Sequence, residues 1–421
     1  MEVDDNESIM NARLDTELRI LLLCSRTELG SDQVVELERL VAEGPNWERL
    51  LDLAGFHRLI PFLYWNFKRC IPDGVPANVR DRLAAGFLRN QQRVMGLTAE
   101  LLRLADRMKE EGVPYLPFKG PVLASTAYGN VALRPTGDLD ILVKPADAPA
   151  ALAILKECGY YVVIEGATGA VADARQERAV GRFHYNYNLF NHENGITVEL
   201  HTRLLPVKLP LGPGPEEAIA GASVCRLAGR EVLTLNFYEN LVFLCVHGAK
   251  HAWDRLEWIV ALAESIRRTD EVDEEKLLRV ARKREAEVAL LLGVLLAVRL
   301  LGLPGMPRVQ RETEEYPVVE DLFEEVVNRL DYHRRVESER QAERRFQEGL
   351  CHSFRSRLRW SFYSQFQPGR NDFRWMPWTF SWTVSYYVIR QVRLLYRRLR
   401  RWLKYVYQFV TGARGVPKTG R

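Results

Sequence analysis

Apolar side chains recur at helical spacing through the first quarter of the chain. Leu14–Leu23 and Val34–Val41 place them three and four residues apart, and Ser31, ahead of Asp32 and Gln33, supplies an N-cap for the second run. Trp47–Ala54 continues the pattern, and His57 and Trp65, set among apolar neighbours, read as packing residues. Beyond Pro72, Gly74 and Pro76 the spacing predicts one long helix from about Ala77 to Glu111, ended by Gly112. The period then falls to two. Val113–Pro117 reads as a short edge strand, and Leu139, Ile141 and Val143 alternate with Asp138 and Asp140. Asp147–Cys158 is an amphipathic helix closed by Gly159, followed by a strand over Tyr160–Ile164 and a Gly/Ala-rich loop over Gly166–Ala174. Phe183–Asn191 is expected to pair with Ile196–His201 across the turn Glu193-Asn194-Gly195.

Four prolines between Pro206 and Pro215 mark the end of this mixed unit. From Asn236 the spacing is helical again, with Phe243–Trp258 read as a single helix and Glu274–Leu303 as one or two, the second buried. Arg308–Arg357 is dense in charge and reads as helical and solvated. The fold class is therefore α+β, a small mixed sheet with helices between N- and C-terminal helical regions. The expected divisions are a helical region (1–111), an α+β core (112–206), a linker (207–235), a helical domain (236–303), a charged helical region (304–372) and a basic aromatic tail (373–421).

Charge changes the picture only at the end of the chain. Eleven of the 59 Lys/Arg and none of the 55 Asp/Glu lie beyond residue 372, so the preceding residues carry a net charge of −7. General coating of nucleic acid is not implied by that balance. In the tail, Trp375, Trp378, Phe380, Trp382, Tyr386 and Tyr387 precede a stripe of Val388, Val392, Leu395, Leu399, Trp402, Val406 and Phe409. Arg390, Arg393, Arg397, Arg398, Arg400, Arg401 and Lys404 fill much of the space between. Such an amphipathic, arginine-rich helix over residues 375–410 suits an anionic membrane surface, self-association or packing, or nucleic acid. Six scattered cysteines without a Cys-x-x-Cys pair fit a reducing compartment. Asp4, Asp5 and Glu7 are the wrong charge for a signal peptide, and the apolar run Val288–Val298 is too short to span a bilayer. A cytoplasmic protein is expected, with the tail as a candidate attachment to the inner face of the membrane.

The candidate chemistry sits where the period changes. Asp138 and Asp140 project from the same side of their strand. They are either a solvated strand end or ligands of a hard divalent cation such as Mg²⁺. The second strand favours the cation, because Glu199 and His201 share its polar face, and Glu199 becomes a third carboxylate if the two strands are neighbours. Lys119 and Gly120 open a helix whose first amides form a phosphate site. His247 and His251 lie at i and i+4, but without the glutamate of a His-Glu-x-x-His pattern or an evident third ligand a zinc site is disfavoured.

Taken in order, these elements resemble the DNA polymerase beta-like nucleotidyltransferase superfamily. More narrowly, the chain resembles an uncharacterised bacterial family with the pattern Leu-Lys-Gly, Arg, Asp-x-Asp-x-Leu-Val. Here the matching residues are Phe118-Lys119-Gly120, Arg134 and Asp138–Val143, continuing through Leu155, Gly159 and Tyr160 to Val198–His201. The resemblance spans about residues 45 to 265 and extends to a His, Lys-His, Trp, Arg-Leu pattern met by His247, Lys250, His251, Trp253 and Arg255. It implies a polymerase beta-like core, catalytic Asp138, Asp140 and Glu199 holding two Mg²⁺ ions, and His201, His247 and His251 as accessory groups. Lys119, Gly120, Arg134, Lys250 and Arg255 would bind the triphosphate of an NTP, ATP foremost, whose nucleoside monophosphate passes to an unspecified hydroxyl acceptor. Asp140→Asn is then expected to abolish transfer and to relieve carboxylate repulsion in the absence of cation. Two departures favour a rival reading, a catalytically inactive binding or scaffold protein on the same fold. Pro121 replaces the superfamily's second Gly or Ser and removes an amide donor, and Ala261 stands where relatives often carry an acid.

Overall fold

The computed structural model describes residues 14–164, 169–209, 212–331, 339–368 and 387–396, together with 399 and 403. Asp15 caps α1 (Thr16–Leu23), accepting from the Leu18 amide at 3.0 Å. The cap of α2 (Ser31–Ala42) falls one residue earlier than expected, on Gly30, whose amide donates to the Gln33 side chain at 2.9 Å. α3 (Trp47–Phe56), α4 (Ile60–Cys70) and the 34-residue α5 (Ala77–Glu110) complete the N-terminal helical region. His57 and Trp65 are packing residues with polar anchors. His57 Nδ1 accepts from the Leu256 amide at 3.1 Å and Nε2 lies 2.8 Å from the Leu330 carbonyl, while Trp65 Nε1 donates to the Thr27 carbonyl at 2.9 Å.

The core comprises β1 (Tyr115–Pro117), α6 (Gly120–Leu123) running on as a π-helical turn over Ala124–Tyr128, β2 (Asp138–Val143), α7 (Ala148–Glu157), β3 (Tyr161–Val162), α8 (Ala174–Phe183), β4 (Asn186–Phe190) and β5 (Thr197–His201). The strands lie in the order β1-β2-β5-β4-β3, with β2 and β5 parallel and the other neighbours antiparallel. This is a small mixed sheet in an α+β core flanked by helices, the fold class expected from the sequence. Leu139, Ile141, Val143, Val198 and Leu200 bury one face against Leu101 and Leu104 of α5 and Ala151 and Leu155 of α7. The alternation that buries those residues turns the acidic residues of β2 and β5 the other way. α8 follows the anticipated loop and was not marked by the periodicity. Only Ala179, Val180 and Phe183 of it are buried, so its apolar face is too narrow to stand out.

Of residues 207–235, expected as a linker, residues 212–235 are packed structure. They form α9 (Pro215–Ala220) and the hairpin β6 (Ser223–Leu227) and β7 (Arg230–Thr234). Leu227 and Val232 enter the core beside the sheet, Ser125 Oγ donates to the Arg226 carbonyl at 2.7 Å, and Arg230 pairs with Asp106 of α5. The prolines before the hairpin and its few buried positions hide it in the sequence.

The single helix expected over Phe243–Trp258 is two. α10 (Phe237–Lys250) stops at His251, Ala252 and Trp253 take positive φ (51° and 49°), and α11 (Leu256–Arg267) follows. The break is caused by Trp253, which folds back fully buried onto Gly248 and donates its amide to the Gly248 carbonyl at 2.9 Å. A Cβ on Gly248 would clash with the indole Cζ3, so glycine is needed for this close approach. α12 (Glu274–Lys283) and the almost wholly buried α13 (Glu287–Leu301) divide the next stretch as expected.

The described part of the charged region is largely helical but not simply solvated. It contains α14 (Pro307–Glu314), α15 (Val318–Leu330), α16 (Glu339–Gly349) and α17 (Phe354–Phe366). α15 buries Val319, Leu322, Phe323, Val326 and Leu330, and Phe346 of α16 is also buried; most charges of α15 lie on its outer face, while the buried Arg329 pairs with Asp254 at 2.7 Å. In the tail, residues 387–396 are helical, and Val388, Val392, Leu395 and Leu399 are exposed. Arg390 donates to the Ser364 and Gln365 carbonyls at 2.6 and 2.8 Å. Of the other tail features, residues 375–386, Arg397, Arg398, Arg400, Arg401, Trp402, Lys404, Val406 and Phe409 lie outside the described residues, as do Asp4, Asp5 and Glu7. Among the described residues no helix is long and apolar enough to cross a membrane, and the six cysteines are unpaired.

Candidate functional site

Pairing of β2 with β5 sets Asp140 opposite Glu199. His201, two residues further along β5, closes the group: its Nε2 lies 3.2 Å from Asp140 Oδ1 and 3.2 Å from Glu199 Oε2. Donor atoms of Asp140, Glu199 and His201 all fall within 4.8 Å of one another. Asp138 lies outside that set but lines the same cavity. Asn186 of β4 donates to Glu199 Oε2 at 2.9 Å, fixing the carboxylate from the neighbouring strand.

Lys119 reaches this cluster from the start of α6, its Nζ 2.8 Å from Asp140 Oδ1. Gly120 makes the approach possible. Its φ is +53°, and a Cβ there would sit 3.2 Å from the Asp138 carbonyl and 3.3 Å from Thr136 Cγ2. The rings of Phe118 and Phe243 form an apolar shelf under the ammonium, 5.5 and 5.7 Å from Nζ, and Phe118 packs edge-on against His201.

These surroundings divide the carboxylates. Burial alone would raise the Asp140 carboxyl, but the Lys119 ammonium and the hydrogen bond from His201 reverse this and hold it well below the usual carboxylate range. Glu199 is likewise lowered, with burial opposed by His201. Among the described residues Asp138 has no such hydrogen-bonded partner. Burial, and then the charges of Asp140 and Glu199, push it up to about 6. The repulsion expected on Asp140 therefore falls on Asp138. His201 is raised, since Asp140 and Glu199 outweigh its burial.

Arg134, Lys250, Arg255, His247 and His251 face the same cavity of about 380 Å³ from the turn before β2 and from the α10–α11 corner. The histidines remain neighbours across the end of α10, with ring centroids 5.1 Å apart. Burial lowers both, His247 far below its ordinary value with Lys119 adding to the effect, and His251 despite its hydrogen bond with Glu343. Every residue singled out from the sequence thus lines the cavity, except Gly120, which stands behind Lys119. Sequence reading missed Arg58, Tyr185, Glu257 and Glu343, which also line it. Lys250 Nζ lies 3.4 Å from the Tyr185 hydroxyl, and Glu257 Oε1 is 3.5 Å from Arg58 and 3.9 Å from Arg255. A signal did exist for Glu257: it precedes Ala261 by one helical turn, so the face lacking the expected acid carries one nearby. Arg58 and Glu343 sit in segments whose patterns give no such hint.

The donor set fits a divalent cation. Two ionised carboxylates and an imidazole converge, and a third carboxyl beside them is resisted by their charge. Comparison with curated proteins yields no match. A family model described as uncharacterised nucleotidyltransferase, however, matches residues 43–302, a span that contains both the carboxylate strands and the helices bearing Lys250 and Arg255. The chain belongs to that nucleotidyltransferase family.

Proposed function

We propose that the protein transfers a nucleoside monophosphate from an NTP, ATP foremost, to a hydroxyl acceptor. The observation that carries this reading is the Asp140–Glu199 register with Lys119, Arg134, Lys250 and Arg255 around it. Asp138, Asp140 and Glu199, with His201 alongside, would hold Mg²⁺, which when bound neutralises phosphate charge and acidifies the attacking hydroxyl. The four cations meet the triphosphate, stabilising the charge that grows on the departing pyrophosphate. Glu199 is the most exposed of the converging donors, its side chain 23% accessible against 2% for Asp140 and His201. It is therefore assigned to the acceptor side, where it takes the hydroxyl proton as oxygen attacks the α-phosphorus and the bond to the β-phosphate bridging oxygen breaks.

A second reading, binding or scaffolding without catalysis, draws on the Lys119–Asp140–His201 contacts, which satisfy Asp140 from within the chain. Calorimetry with each NTP, with and without Mg²⁺, separates the two. Mg²⁺-dependent binding of one NTP, lost in Asp140→Asn, supports transfer, and labelled NTPs in cell extract then reveal the acceptor. Mg²⁺-independent binding, or none, favours the scaffold. The exposed Val388, Val392, Leu395 and Leu399 and the acid-free tail support a further part of the proposal, attachment to an anionic membrane surface from the cytoplasmic side.

A further inference from the structure

We propose that a second cavity beside the first receives the acceptor and selects a phosphorylated sugar or polyol, a molecule carrying a phosphate as well as the reacting hydroxyl. This inference rests on the nucleotidyl-transfer reading. The second cavity, about 860 Å³, opens between the Pro206–Lys208 turn, α16, α17 and Arg390. It shares two walls with the first, Tyr185 and Glu343. A molecule lodged in it can therefore present one hydroxyl to the carboxylate cluster while the rest stays outside the triphosphate site. Its volume is that of a small-molecule site rather than a macromolecular groove.

Its charge is wrong for an empty space. Lys208 is half-buried, and its Nζ donates to Gln347 Oε1 at 2.7 Å, a neutral partner. Burial first, and then the nearby cations Lys250, Arg390 and Arg344, push its ammonium below the ordinary lysine value. Glu343 pulls the other way, but its carboxylate is engaged by His251 Nδ1 at 3.1 Å. Arg344 lies over the Trp360 ring at 5.7 Å. Among the described residues three cations, Lys208, Arg344 and Arg390, line the cavity against one carboxylate, Glu343, and a phosphate offsets that excess by bidentate pairing with an arginine and a point contact with a lysine. Lys208, Arg344 and Arg390 are distinct from Lys119, Arg134, Lys250 and Arg255, which line the first cavity and face the triphosphate.

The rings of Tyr185, Phe362 and Tyr363 complete the wall with surface on which a sugar ring can lie. In the reaction, the sugar oxygen forms the new bond to the α-phosphorus, pyrophosphate departs with the electrons of the broken bond, and the hydroxyl proton passes to Glu199.

The test uses the full chain saturated with a non-hydrolysable ATP analogue and Mg²⁺, so that the first cavity is filled. Calorimetric titration with glucose 6-phosphate, glycerol 3-phosphate, inorganic phosphate and glucose then reads the second. At least one phosphorylated compound should bind tenfold or more tightly than glucose. Affinity should fall at least tenfold in Lys208→Gln/Arg344→Gln and be retained in the charge-preserving Lys208→Arg/Arg344→Lys. The inference is overturned if glucose binds as well as its phosphate, if nothing binds, or if neutralising the two cations leaves affinity unchanged. Failure of the analogue to bind wild type would instead sink the nucleotidyl-transfer reading, an outcome seen before any acceptor is added.

Discussion

Asparagine placed at Asp138 or at Asp140 should change stability in opposite directions, although the two carboxylates share one face of one strand. Asp138 titrates near 6 in the folded protein against an ordinary 3.8. At 1.36 kcal/mol for each tenfold step, ionisation of that side chain costs the fold roughly 3 kcal/mol, and its partial exposure reduces this to about 1–3 kcal/mol. Because the folded value lies above the unfolded one, wild type falls behind Asp138→Asn as pH rises from about 4 through 6, and the gap is constant above that. Asp140 behaves in the reverse sense. Its folded value is depressed, so its contribution is present at neutral pH and lost only in acid. Asp140→Asn leaves the Lys119 ammonium and His201 facing a neutral amide in a buried site, at a cost of about 3–5 kcal/mol. Urea unfolding at pH 8 in the presence of a chelator reads both. Asp138→Asn should unfold at higher urea than wild type and Asp140→Asn at lower. Adding Mg²⁺ should erase the advantage of Asp138→Asn, because wild type alone then gains the full cation site. Movement of both variants in the same direction would refute the division of charge argued here.

Three other outcomes are expected. Gly248→Ala should cost about 1–3 kcal/mol by forcing Trp253 from its seat, and since that turn presents His251 and Arg255, NTP affinity should fall with the melting temperature. His57→Ala should cost about 3 kcal/mol, because it empties a core position and strands the Leu256 amide and the Leu330 carbonyl; an unchanged thermal melt would contradict the assigned contacts. Full-length protein should bind phosphatidylglycerol vesicles at low salt, more weakly as ionic strength rises, and a chain ending at Asp372 should not. Indifference to such vesicles at low salt removes the membrane proposal.

Local patterns revealed the helices and strands whose one face is uniformly apolar. α5, α7, β2 and β5 each bury a regular stripe, and the Asn194-Gly195 turn announces the β4–β5 pair. Patterns failed where burial is sparse or where one contact overrules periodicity. Of the apolar residues of the β6–β7 hairpin only Leu227 and Val232 are buried, α8 has three buried residues, and a single indole on Gly248 splits a helix that spacing alone would continue. Charge density likewise hid the buried face of α15.

By itself the sequence determined that Asp138 and Asp140 point one way and that Glu199 and His201 share the polar side of a second strand, because the alternation of a strand is a local property of the backbone. It also determined that Lys119 and Gly120 stand at a helix start. The tertiary structure decided that the two strands are parallel neighbours in the register that sets Asp140 against Glu199, since pairing joins segments some sixty residues apart. It also decided that Lys119 and His201 hold Asp140 charged while Asp138 bears the repulsion, and that Tyr185 and Glu343 stand between two cavities. Electrostatic energies depend on distance and burial, and those are set only when strands, helices and turns remote in the chain close around the same space.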